Sequence, residues 1–449
     1  MSNASEVTRR RFIITAGAIA ATPWLALHAQ NQNNSNVAED AYIWGFPLVL
    51  TSRYRVLAGT YPPNRFTVST RLSAPDDRVA APNVDTLYGF AFLDLTNEPL
   101  ILHVPDTRDR YYSIHLIDAY QNSFAYVGRR TTGTREGEYA ITAPGWKGTL
   151  PPGVVKIEAT TKHVLALTRT LVRNEHDLDE ARALQRQYIL RPLSGYAQFG
   201  LAPREEPAAF NVFPYVNLSE SGGAVFNELN TALALDPPSA HEKAPLKDFA
   251  RIGVGPRHPK PSFTPDADFF DEAAATGYRK IRDANYNSDA NHWKVNYRVT
   301  NFISDPLLRA SVNRIGPGVH VAQEALYFIS KNDGDGQPLS GESRYRLHFA
   351  SGALPPVDAF WSLIVYGPDN GLVKNPIQRY CITDRTEGLV KNSDGALELA
   401  IQSERPAEGS ANWLPVPRGP FSLILRAYQP QPELLNGSYK PPVLERINA

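Results

Sequence analysis

Two blocks of this chain are written in short apolar stretches that alternate with period two, each closed by a turn signal, and a stretch of different period lies between them. In the first block, Leu87 to Leu95, Leu100 to Val104, Tyr111 to Leu116, Ser123 to Val127, Gly137 to Thr142 and Val164 to Val172 read as strands. Asp106-Thr107-Arg108-Asp109, Pro144-Gly145 and Pro151-Pro152-Gly153 punctuate them, which predicts an antiparallel sandwich. From Glu324 the pattern returns in Tyr345 to Phe349, Ala359 to Tyr366, Gln378 to Thr383, Ala396 to Gln402 and Pro420 to Tyr428, which predicts a second sandwich or jelly roll. No internal repeat is visible residue by residue.

The segment between the blocks carries helical spacing. Asp177 with Glu180 opens a helix with Ala181, Leu184 and Tyr188 on one face, Phe226, Leu229 and Leu233 mark a second, and a third falls between Asp266 and Asp283. Ahead of the first block, Asn36 and Glu39 make a capping-box-like start for a helix carrying Ala41, Trp44, Leu48 and Tyr54, which Pro47 should kink or shorten. The expected fold is therefore mainly β with a helical middle segment.

At the N-terminus, Thr8-Arg9-Arg10-Arg11-Phe12-Ile13 has the twin-arginine pattern, followed by an Ala- and Gly-rich apolar run to Leu27 and a small-residue site ending at Ala29. The run is too short to span a bilayer comfortably. The expected organisation is a signal peptide over 1–29, a spacer over 30–36, a helix and sandwich over 37–173, a mostly helical bridge over 174–310 and a second sandwich over 311–449. Export places the mature protein in the periplasm or outside the cell, with no membrane association after cleavage.

Lysine and arginine together match aspartate and glutamate at 46 each, so no net field draws the chain to nucleic acid. Its single cysteine, Cys381, cannot form an intrachain disulfide. No Gly-x-Ser-x-Gly elbow, His-Glu-x-x-His pair, phosphate-binding loop or Cys-x-x-Cys is present, which weakens lipase, zincin, nucleotide-dependent and thiol-redox readings.

Pro82-Asn83-Val84-Asp85-Thr86-Leu87-Tyr88, Val104-Pro105-Asp106, Arg110-Tyr111-Tyr112 and Ala119-Tyr120-Gln121-Asn122 make the N-terminal part resemble the domain of unknown function 1254. Phe360-Trp361-Ser362-Leu363, Asn375-Pro376, Arg379-Tyr380 and Asn412-Trp413-Leu414-Pro415 make the C-terminal part resemble its usual partner, the domain of unknown function 1214. The resemblance implies an immunoglobulin-like sandwich, a helical segment and a C-terminal jelly roll packed as one body in a bacterial envelope protein. It implies no reaction.

Candidate site residues come from the polar ends of strands. Asp85, set between Asn83 and Thr86 ahead of an apolar strand, is a candidate base, and the competing reading is a turn in which Asn83 and Asp85 bond nearby amides. His115 and Asp118 join it as catalytic candidates. Tyr88, Tyr112, Asn122, Arg169, Arg379, Asn412 and Trp413, with Asn83, are candidate ligand contacts, since buried Arg and Asn need partners and aromatics stack. His115 lacks a second histidine nearby in sequence, so no metal site or cofactor is expected, and a divalent metal is left open without being favoured. The expected partner is a small molecule or glycan. Three readings stay open: a cofactor-independent hydrolase or lyase working on a small polar or aromatic compound in an inter-domain cleft, a non-catalytic binder of a glycan or small ligand in that cleft, and a structural envelope component.

Overall fold

In the computed structural model, residues 23–77, 81–199, 207–210, 216–239, 242, 245–262, 266–300, 302, 304–407 and 409–447 are described. The twin-arginine pattern lies outside them. Among them the protein is mainly β, with a helical middle segment between strand-rich ends.

The first strand block supplies β1 (Thr67–Ser69), β2 (Thr86–Asp94), β3 (Leu100–Val104), β4 (Tyr112–Asp118), β5 (Ser123–Gly128), β6 (Gly137–Thr142), β7 (Val155–Glu158), β8 (His163–Leu171), β9 (Ile189–Pro192) and β10 (Ala208–Phe210). They form a six-stranded sheet, β10-β1-β2-β8-β4-β5, and a four-stranded sheet, β7-β6-β3-β9. Alternation along β4 turns Tyr112, Ile114 and Leu116 into the apolar layer between these two sheets, where they meet Leu102, Ile141 and Ala166. The second block supplies β11 (Ser288–Ala290), β12 (Trp293–Val295), β13 (Ala325–Ser330), β14 (Arg344–Phe349), β15 (Val357–Tyr366), β16 (Cys381–Thr383), β17 (Leu397–Gln402), β18 (Trp413–Pro415), β19 (Ser422–Pro430) and β20 (Leu444–Ile447). Its sheets are β11-β12-β13-β19-β15-β16 and β18-β17-β14-β20, around Leu326, Trp361, Leu363, Leu399 and Leu425.

The two sandwiches share one strand order. In the first, β8 is inserted antiparallel between β2 and β4, β4 pairs with β5, β3 pairs with β6 and β9, and β6 runs parallel to β7. In the second, β19 is inserted antiparallel between β13 and β15, β15 pairs with β16, β14 pairs with β17 and β20, and β17 runs parallel to β18. The chain thus contains the same supersecondary unit twice, although residue-level comparison shows no repeat.

Eight helices lie among the described residues: α1 (Pro23–Leu57), α2 (Leu178–Gln185), α3 (Leu193–Phe199), α4 (Ala224–Leu235), α5 (Leu246–Phe249), α6 (Ala267–Asp283), α7 (Pro306–Ile315) and α8 (Pro432–Leu435). α1 takes in the stretch 30–36 read above as a spacer, and Asn34, almost wholly buried, accepts a hydrogen bond from Arg251 there. It also runs on through Pro47, where Thr51 Oγ donates to the Pro47 carbonyl at 2.9 Å. Tyr42, Phe46 and Val49 of α1 pack on Phe226 and Leu229 of α4 and on Ala273 of α6. This contact needs glycine, because a Cβ on Gly45 would stand 2.5 Å from a Leu229 methyl. No helix among the described residues is long and apolar enough to cross a membrane.

Candidate functional site

Each six-stranded sheet has one face in its own core, so its other face must be covered by something else. In β2, β8 and β4 the outward positions are Tyr88, Arg169, Ser113 and His115; in β13, β19 and β15 they are Tyr327, Arg426, Ser362 and Ile364. These outward faces meet one another, as the Tyr111–Phe360 and Tyr111–Tyr428 ring contacts at 5.3 and 5.4 Å show.

Register makes the two faces equivalent. Tyr88 stands opposite Arg169, and Arg169 opposite Ser113, in adjacent strand pairs; Tyr327 stands opposite Arg426, and Arg426 opposite Ser362, in the corresponding pairs. In each row the guanidinium lies over its tyrosine ring, Arg169 5.0 Å from the centroid of Tyr88 and Arg426 5.5 Å from that of Tyr327. Cross-module contacts obey the same symmetry. Asp85, three residues before Tyr88, pairs with Arg385 at 2.8 Å, and Glu324, three residues before Tyr327, pairs with Arg130 at 2.5 Å. Arg130 lies two residues beyond β5 and Arg385 two residues beyond β16. Arg169 donates to the Gly318 carbonyl ahead of β13, while Arg426 donates to the Ala81 carbonyl ahead of β2. A residue of one unit contacting its counterpart's neighbour in the other, and the reverse, is the signature of an isologous interface, here closed inside one chain.

Asp85 and Glu324 are each committed. Asp85, 2% exposed, also accepts from Ser362 Oγ at 2.6 Å, and Glu324, 1% exposed, also accepts from the Tyr111 hydroxyl at 2.9 Å. Burial pushes the Glu324 carboxyl above its usual range, against the pull of Arg130. Arg169 and Arg426, each 5% exposed, make no ion pair among the described residues, and Arg169 Nη1 and Arg426 Nε have no hydrogen-bond partner. Burial opposes the Tyr88 phenolate, but Arg169 and Arg426 together, with hydrogen bonds from Arg169 and Asn83, hold the phenol below its ordinary value. Tyr88, Tyr327, Ile329 and Cys381 keep partial exposure.

His115 lies in the layer, stacked on Tyr126 at 4.3 Å, with its Nε2 2.7 Å from Ser123 Oγ. His320 stands 5.6 Å from it, ring to ring. Burial and the Arg169 charge hold both imidazoles well below their usual pKa, hence neutral. Their Nδ1 and Nε2 atoms, respectively, lack partners. Among the described residues no group of three His, Cys, Asp or Glu side chains could hold a metal ion.

Of the residues singled out from sequence, Asp85, Tyr88, His115 and Arg169 meet in this layer, and Asn83 joins them by donating to the Tyr428 hydroxyl at 2.8 Å while its Oδ1 accepts the Asp85 amide. Tyr112 points the other way, into the first core, its hydroxyl on the Gly133 carbonyl. Asp118 and Asn122 close the far end of β4: Asp118 accepts from the Tyr120 and Asn122 amides and from Thr160, and Asn122 bonds Glu242 and Arg309 from the helical segment. Arg379 donates to the Ser410, Ala411 and Trp413 carbonyls, Asn412 ties Val390 to Glu398, and Trp413 donates to the Gln402 carbonyl. These three hold a loop of the second sandwich away from the layer. Sequence reasoning passed over Arg130, His320, Glu324, Tyr327 and Arg385. The signal that could have found several of them is a short echo, Asp85-Thr86-Leu87-Tyr88 against Glu324-Ala325-Leu326-Tyr327.

The family described as "Protein of unknown function (DUF1254)" matches residues 63–192, and "Protein of unknown function (DUF1214)" matches residues 324–432. The chain belongs to the family that joins these two domains. The first match takes in β1 to β9 and the second β13 to β19, so each domain contributes one face of the layer. None of the curated proteins matches the chain. Among solved structures, the VPA0106 protein of Vibrio parahaemolyticus is similar over 92% of this chain and 100% of its own, at 25% identity and a TM-score of 0.71. An uncharacterized protein of Burkholderia cenocepacia aligns over 94% of this chain and 96% of its own, at 13% identity and a TM-score of 0.45.

Proposed function

We propose that the two Tyr–Arg–Ser rows form one composite site for a small anionic compound, and that Tyr88 moves a proton on it as part of a cofactor-independent hydrolase or lyase. The observation that carries this reading is the buried pair Arg169 and Arg426, whose charges no acid of the layer balances because Asp85 and Glu324 are already paired. A buried charge without a partner is costly, and a bound carboxylate would offset two at once. Between the two guanidiniums the Tyr88 oxygen can lose its proton closer to neutrality than a free phenol, which suits a general base. In an elimination it would take the proton beside the carboxylate, the electron pair would form the double bond, and the leaving group would depart to be protonated by solvent.

The test is a spectroscopic titration of the phenols. One tyrosine should ionise ahead of the others, Tyr88→Phe should remove that step, and Arg169→Met or Arg426→Met should move it upward and abolish the effect of added benzoate on it. A titration with no early phenol, or one indifferent to these variants, would sink the reading. Saturable binding without turnover of any ester or hydroxy acid would leave a non-catalytic binder.

We propose also that the chain is exported by the twin-arginine route to the periplasm, which the Thr8 to Ile13 pattern supports. Changing Arg9 and Arg10 together to Lys should leave the precursor in the cytoplasm, and normal accumulation outside it would refute export by this route. The immunoglobulin-like and jelly-roll-like descriptions are, we propose, one architecture built twice; the shared strand order supports this.

A further inference from the structure

Beyond the layer, the outward face of the first sheet continues as a row of rings, because alternation along β2 puts Phe90 and Phe92 on the same side as Tyr88. α1 stops at Leu57, and the chain turns through Ala58–Thr60 toward Pro62 and Pro63, which sets Tyr61 edge-on to Phe90. Between this turn and the strand lies a cavity of about 370 Å³, walled by Ala58, Tyr61, Pro62, Phe90 and Phe92. Its walls are separate from the Tyr88–Arg169 row.

Ring geometry and charge together define the occupant. Phe90 is the centre of an edge-to-face set, 5.5 Å from Tyr61, 6.1 Å from Phe92 and 5.1 Å from Phe210. Such pairs stabilise beyond the area they bury, and a further flat ring entering beside Phe90 and Tyr61 extends the pattern. The charged groups at the rim are already committed. Arg55 reaches Asp236 at 4.0 Å, Arg65 is engaged elsewhere, and His163 lies between Asp236 at 2.8 Å and Asp94 at 3.8 Å. A charged ligand would therefore lose its water without meeting a free counter-charge, whereas a neutral ring gains from burial against the aromatic wall. Size agrees, since a cavity of roughly 150 Å³ already holds benzene. We propose that this cavity binds a neutral, planar aromatic compound of one or two fused rings, seated against Phe90 and Tyr61.

Calorimetric titration of the full chain with indole tests this, with indole-3-carboxylate and cyclohexanol as competitors for the bound indole. Indole should bind saturably. At neutral pH the acid should compete at least ~10-fold less well than its affinity for an unpaired cation would allow it to, and less well than indole itself by the same factor, because its charge finds no free partner. Cyclohexanol, neutral but not flat, should compete at least ~3-fold less well than indole, the scale of one lost ring–ring contact. Competition counts only acid that enters this cavity, so an acid held in the layer between the modules does not register, and Arg169→Met should leave indole binding unchanged. Tyr61→Leu removes a wall ring and should weaken indole at least ~3-fold, whereas Tyr61→Phe keeps the ring and should bind like the parent. Gly59 also lines the cavity, and a Cβ there would meet no neighbouring atom within 4 Å, so Gly59→Leu should narrow the space without a clash and weaken indole as well. No saturable indole binding, equal competition by indole-3-carboxylate, or indole affinity unchanged in both Tyr61→Leu and Gly59→Leu would overturn the assignment.

Discussion

Replacing Asp85 by Asn tests whether the layer between the modules is a clamp. Asn keeps the side-chain shape and can still accept from Ser362 Oγ, so the change removes a charge with little else. What it leaves behind is Arg385, whose side chain is 18% exposed and whose guanidinium lies 4.4 Å above the Phe360 ring, a surface that hydrates it poorly. Breaking a buried pair by removing one partner costs roughly 3–5 kcal/mol, and the remaining contact of Arg385 with Asp384 at 2.6 Å argues for the lower end, about 3 kcal/mol. Denaturant unfolding should register this loss, and the symmetric change Glu324→Gln should produce a smaller one, because burial already pushes that carboxyl toward its neutral form. The double variant should be close to additive, since the two pairs share no partner. A change below about 1 kcal/mol for Asp85→Asn, with loss of an activity, would refute the clamp and return Asp85 to the role of a base.

Further outcomes are expected from the same groups. Both His115 and His320 titrate below their ordinary value when folded, so in a window reaching downward from about pH 6.5 the unfolded chain binds more protons and stability must fall as pH falls. His320→Gln should flatten that slope by up to about 1.4 kcal/mol per pH unit, and an unchanged slope would show that the imidazole is not held neutral. The Cys381 thiol, pushed up to about 12 by burial and by Asp85, should react with a disulfide reagent at neutral pH at least ~10-fold more slowly than free cysteine; labelling at the free rate would contradict its setting. Reducing agent should leave the unfolding midpoint unchanged, because the one cysteine has no partner in the chain.

Period-two stretches and their turns marked the strand blocks, because each sandwich buries one face of every strand and the pattern survives in any local window. The alternation in β4 separated Tyr112, Ile114 and Leu116 from Tyr111, Ser113 and His115 without saying which side is apolar core and which is the layer. Both sides are buried, so polarity gave no answer. The Asx turn at Asn83 was legible since it closes within two residues. Its bond to Tyr428, 345 positions away, and the Asp85–Arg385 pair, 300 positions apart, leave no local trace. Arg379 and Asn412 looked like site residues because buried polar groups need partners, but the partners turned out to be backbone groups of the same sandwich, Ser410, Ala411 and Trp413 for Arg379 and Val390 and Glu398 for Asn412.

An interface that is isologous between separate copies obliges every substitution to appear twice. Within one chain that obligation is lifted. Where the first half carries His115 opposite Leu167, the second carries Ile364 opposite Ile424, and Leu171 of the first answers to Tyr428 of the second. The fused arrangement therefore keeps the symmetric frame of ion pairs that aligns the halves while letting the two walls differ in polarity from one position to the next. A lopsided ligand can be read by such walls, whereas a strictly paired one would present the same groups to both its ends.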